Sequence, residues 1–107
     1  MIIFETSIFT RQITTLMDDD EYAEFQGELA ERPDMGVRIP GSGGLRKVRV
    51  TAKGHGKRGG ARVIYYWAMS DSRIFMLLAY AKNEQEDLTK DQLKVLKALV
   101  EEEFGDG

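Results

Sequence analysis

The spacing of apolar residues along the chain changes repeatedly, and each change marks a new element. Met1-Ile2-Ile3-Phe4 is a short, branched apolar run that predicts a first strand. Ile8, Phe9, Ile13, Leu16 and Met17 then recur at steps of three and four, which predicts a helix over residues 7–17. Asp18-Asp19-Asp20 stops that helix and offers a cap for the next, because a carboxylate accepts from free backbone N–H groups and favours the positive helix end. Glu21 or Glu24 supplies the capping-box partner. Tyr22, Phe25 and Leu29 make one face of this second helix, its other positions are mostly acidic, and Pro33 and Gly36 end it.

Beyond Gly36 the period shortens to two. Val37–Ile39 reads as a short edge piece before the Gly41–Gly44 loop. In Leu45–Val50, Val48 and Val50 fall on one face of a strand and Lys47 and Arg49 on the other. Lys53–Gly60 holds four glycines and reads as a loop. Arg62–Trp67 is strongly β-prone, Ser70-Asp71-Ser72 is a turn, and Ile74–Tyr80 is the most apolar strand, which predicts a central place in the sheet. Thr89 and Gln92 form a capping box, Leu88 and Leu93 a hydrophobic staple, and Leu93, Leu96, Leu99, Val100 and Phe104 the stripe of a terminal helix. The order β-α-α-β-β-β-α describes an α+β domain, its later strands antiparallel because their connections are too short for crossovers.

Composition narrows the function classes. A length of 107 residues fits one domain, 1–107, and 42% hydrophobic residues suffice for a modest core. Cysteine is absent and His55 is the one histidine, so thiolate chemistry, cysteine zinc sites and a multi-histidine metal centre are excluded, and no cofactor is expected. The longest apolar run, Ile74–Ala81, is far short of the roughly 20 residues that span a membrane. With no basic stretch leading into an apolar signal segment, a soluble cytoplasmic protein is expected.

The net charge of −3 conceals a strong asymmetry. Residues 1–34 carry nine acids and two bases, residues 35–70 eight bases and no acid, and residues 71–107 nine acids and five bases. An acid-free block inside an acidic chain points to a polyanionic partner. Solubilising charge on strands and loops explains individual residues but not the whole block. Gly54-x-Gly56-x-x-Gly59 matches a dinucleotide-loop string, yet a strand follows it where a helix would be required. A membrane patch would place its bases on an amphipathic helix. A nucleic-acid groove fits better, with glycine loops approaching phosphates and Arg and Lys neutralising them. Tyr65, Tyr66, Trp67 and Tyr80 are either core residues or stacking platforms beside it.

Five stretches together resemble the RelE/HigB toxins of bacterial type II toxin–antitoxin modules, most of all the HigB-2-type branch. They are Phe4-x-x-Ser7-x-Phe9, Asp20-Glu21-x-x-x-Phe25-Gln26, Gly43-Gly44-Leu45-Arg46-Lys47-Val48-Arg49, the run from Gly56 to Tyr66, and Tyr80-x-Lys82-Asn83-Glu84-x-x-Asp87-Leu88. The resemblance implies a RelE-like fold, with helices on one side of a twisted antiparallel sheet. It also implies cleavage of messenger RNA in the ribosomal A site, a helix-turn-helix antitoxin that neutralises the toxin, and contact with operator DNA only through that antitoxin.

Cutting RNA without a metal requires deprotonating a ribose 2′-hydroxyl, stabilising a phosphorane-like charge and protonating the leaving 5′-oxygen. Arginine suits the middle task, since its planar fork binds phosphate bidentately and keeps its charge. By position in the family's motifs, Arg62 is expected to stabilise the transition state, Lys47 or Arg49 to engage the scissile phosphate, and Lys82 to assist proton transfer or contact phosphate. Arg46, Lys53, His55, Lys57 and Arg58 are expected to contact RNA or ribosome, with His55 either an acid–base group or a solvated bystander. RelE itself carries an arginine just after the position of Lys82 and a tyrosine at the start of the last helix, where this chain has Asn83 and Thr89. Those departures keep open a rival expectation, a non-catalytic RelE-fold protein that binds RNA or its antitoxin.

Overall fold

The computed structural model describes residues 1–51 and 60–104. Strand β1 (Ile2–Glu5) leads into α1 (Ser7–Leu16) and α2 (Asp19–Glu31). The chain continues through β2 (Val37–Arg38), β3 (Leu45–Val50), β4 (Ala61–Ala68), a 3₁₀ turn (Met69–Asp71), β5 (Arg73–Ala81) and α3 (Lys90–Phe104). Helix boundaries follow local chemistry. Thr6 Oγ1 accepts from the Phe9 N–H at the start of α1. Asp18 and Glu21 exchange side chain-to-backbone bonds of 2.8 and 3.0 Å at α2, and Thr89 and Gln92 do the same at 3.0 Å before α3. Among the described residues no helix is long and apolar enough to cross a membrane.

The five strands order as β1-β5-β4-β3-β2. Pairing is antiparallel from β2 to β5, as the short connections require, but β1 runs parallel to β5. The expected all-antiparallel sheet is therefore mixed. Most of the chain lies between the two strands and returns β5 in the same direction as β1, which no local turn signal encodes. The middle position belongs to β4 rather than to the more apolar β5, which lies between β4 and β1. Strand β1 pairs with only the first part of β5. Beyond it, α1 takes over the edge: the Ala79 N–H donates to Gln12 Oε1 at 2.9 Å, and Thr6 Oγ1 donates to the Leu77 carbonyl at 3.0 Å.

Helices cover both faces of the sheet, not one. Phe9, Ile13, Leu16, Phe25 and Leu29 of α1 and α2 pack with Val63, Tyr65, Ile74 and Met76. Leu96 and Val100 of α3 pack with Leu45, Ile64, Leu77, Leu78 and Tyr80 on the opposite face. Alternation along β4 separates the two layers. A bulge opposite Ile64/Tyr65 pairs Ile64 with Leu78 and Tyr65 with Met76, leaving Leu77 as the extra residue. It reverses the alternation of β5, so Ile74 and Met76 face α1 while Leu78 and Tyr80 face α3.

Tyr65, expected as a core residue or a base-stacking platform, is fully buried. Its hydroxyl donates to the Pro33 carbonyl at 2.6 Å and accepts from the Gly36 N–H at 2.9 Å, anchoring the exit of α2 to the central strand. A Cβ on Gly36 would lie 2.8 Å from the Tyr65 ring, so glycine is required for this approach. Tyr65→Phe should lower unfolding free energy by about 1–3 kcal/mol, because it strands the buried Gly36 N–H and the part-buried Pro33 carbonyl. Urea denaturation with an unchanged slope measures this directly.

Candidate active site

One face of the β3–β4–β5 ladder brings the basic residues together. Arg49 stands directly opposite Arg62, Arg62 opposite Tyr80, and Lys47 opposite Ile64, so these side chains share the α3 side of the sheet. Lys47 and Arg49 share it because they are two residues apart on one strand. Arg62 is only 3% exposed, unusual for an arginine, and its Nη1 donates to the Ala61 carbonyl at 3.3 Å. Arg49 is exposed at the rim. Like charges set directly opposite each other disfavour a ladder, and Arg62 also lies in the field of the Asp87 carboxylate.

Gly60 holds this end of the sheet together. Its φ is +70°, and a Cβ would fall 2.1 Å from the Val50 carbonyl oxygen, so only glycine fits. Its own carbonyl accepts the Lys82 N–H at 3.2 Å, which fixes the backbone of Lys82 beside the start of β4. Lys82 is exposed in the turn after β5.

The connection from β5 to α3 contributes a residue not singled out from the sequence as functional. Asp87, exposed on that connection, accepts a hydrogen bond from Lys47 Nζ and forms an ion pair with it. The Lys47 hydrogen bond and charge, aided by Arg62, hold the Asp87 carboxyl below the usual aspartate range. Tyr80 sits in the same field. Burial raises its pKa, Asp87 and Glu86 add to the rise, and Arg62 opposes it. The spacing of Asp87 from the basic block along the chain gave no hint of the pairing. Its presence in the Tyr80–Leu88 motif was the available signal.

Other expected contacts fall elsewhere. Arg46 projects to the opposite face, where Nη1 donates to the Gly36 carbonyl at 2.8 Å and the Asp34 carbonyl at 3.3 Å, and the guanidinium lies 5.8 Å from the Trp67 ring centre. It braces the exit of α2 and does not join the cluster. Tyr66 packs on Phe104 with ring centres 5.0 Å apart. Lys53, His55, Lys57 and Arg58 lie outside the described residues. Among the described residues no three His, Asp or Glu side chains gather as metal ligands. Arg62 and Arg49 carry planar guanidinium forks, whose chemistry suits phosphate oxygens, while Lys47 is paired with Asp87.

The family model described as the RelE toxin of the RelE/RelB toxin–antitoxin system matches residues 1–105.

The Lys47–Asp87 pair has a defined pH signature. A carboxyl whose folded pKa is lowered contributes stability above its unfolded pKa, and that contribution disappears as pH falls through the lowered value. An NMR titration should place the Asp87 midpoint below that of an ordinary aspartate. Lys47→Met should return it upward, and an unchanged midpoint would show that the pair does not persist in solution.

Proposed function

The chain belongs to the RelE toxin family, and on that premise we propose that it is a ribosome-dependent endoribonuclease of the HigB-2-type branch, acting in the cytoplasm on messenger RNA in the A site. Its cognate antitoxin, proposed to be a helix-turn-helix protein, neutralises it and carries the operator-DNA contact. The observation that carries the nuclease reading is the cross-strand pair of Arg49 and Arg62, with Lys47 on the same face. Two guanidinium groups on one face of the sheet suit a phosphate whose charge grows in the transition state. Arg62, held by the sheet, stabilises that charge, Arg49 and Lys47 engage the scissile phosphate, and Lys82 works from the turn beside them in proton transfer or phosphate contact.

The ribosome fits this chemistry as a positioning device. An enzyme with few acid–base groups gains most from a substrate already held in a reactive geometry, and orientation supplies much of the rate. Lys53, Lys57 and Arg58, with His55, are proposed to contact ribosomal or messenger RNA. Such contacts weaken steeply with salt.

Expression of wild type and Arg62→Ala in cells, with primer extension on messages being translated, tests the proposal. Wild type should give codon-associated cuts, and Arg62→Ala should lose them while its circular dichroism stays native. Arg62→Lys should also cut poorly, because it keeps the charge and loses the planar fork. Growth arrest by wild type without cuts would overturn the nuclease assignment and favour a binding protein that has lost catalysis.

A further inference from the structure

We propose that the Tyr80 hydroxyl contacts the substrate: with RNA seated, it donates a hydrogen bond to a non-bridging oxygen of the phosphate that Arg62 holds. This rests on the nuclease function proposed above and adds a donor to it.

Tyr80 is 6% exposed, and among the described residues its buried hydroxyl has no hydrogen-bond partner. A buried hydroxyl left unpaired lowers stability, and phenylalanine would fill the same volume without that cost. The side chain faces α3 because Leu77 bulges from the β4–β5 ladder; with uniform alternation from Met76 it would face α1 and α2. The bulge sets Tyr80 directly opposite Arg62, so donors on neighbouring strands share one patch of the sheet.

The charges around the hydroxyl are mixed, and the strongest belongs to a carboxylate that an incoming phosphate would displace. Asp87 is the strongest charge acting on it, followed by Arg62 and Glu86. Burial raises its pKa, so the phenol keeps its proton at neutral pH and serves as a donor. A phosphodiester that replaces Asp87 at Lys47 enters beside the hydroxyl, and its growing charge strengthens the bond toward the transition state.

Tyr80→Phe isolates the hydroxyl, because the ring and its packing remain. Single-turnover cleavage on programmed ribosomes should slow about 10- to 100-fold, as expected for losing a hydrogen bond to a charged group. The toxin concentration giving half the maximal rate should change little. Thermal unfolding should occur at the wild-type temperature or above, since an unpaired buried group has been removed. A cleavage rate within about twofold of wild type would overturn the inference, and so would a lowered unfolding temperature, which would assign the hydroxyl to stability. If Arg62→Ala abolishes cuts and Tyr80→Phe keeps them, this inference fails alone. If wild type cuts nothing, the nuclease assignment fails and takes the inference with it.

Discussion

Arg49 and Arg62 face one another across adjacent strands, and the register that sets them opposite also fixes both apolar layers. Like charges set directly opposite lower the stability of a ladder. Register holds them because alternation along β4 also places Val63 and Tyr65 in the α1–α2 layer and Ile64 in the α3 layer. A slip by one residue would drive Arg62 into the apolar layer beneath α1 and bring Tyr65 out. The cationic face is thus secured by the same alternation that builds both cores.

Charge is arranged in depth as well as along the chain. Arg62 is nearly enclosed, Arg49 reaches solvent, and Lys47 is matched by an exposed carboxylate from another element. An exposed pair of that kind contributes little to stability and is readily exchanged for a stronger anion. Arg46 shows how neighbouring bases in one strand can part ways. Alternation turns it to the far face, where backbone carbonyls and Trp67 occupy it.

What could be read from the sequence is what local chemistry decides. The boxes at Asp18–Glu21 and Thr89–Gln92 each close within three residues, and both helices begin there. Alternation alone puts Lys47 and Arg49 on one face, and the strand shows it. Features that depend on distant partners were not legible. The parallel pairing of β1 with β5 joins segments about seventy residues apart, as Ile3 and Ile74 illustrate. The Leu77 bulge leaves no mark of its own in an apolar run, yet it decides which side of the sheet Tyr80 takes. The pairing of Asp87 with Lys47 crosses forty positions of chain.

The edge strand β1 has a consequence in time as well as in space. Its strand partner, β5, is synthesised long after it, so β1 waits for about seventy residues of chain before it can pair. Closing a loop over that separation costs more entropy than closing a hairpin. Tyr80 belongs to β5, and Asp87 follows it. A growing chain that stops short of β5 therefore carries Arg49 and Arg62 without the strand that completes their surroundings. In the order of synthesis, the surroundings of the site follow its two arginines.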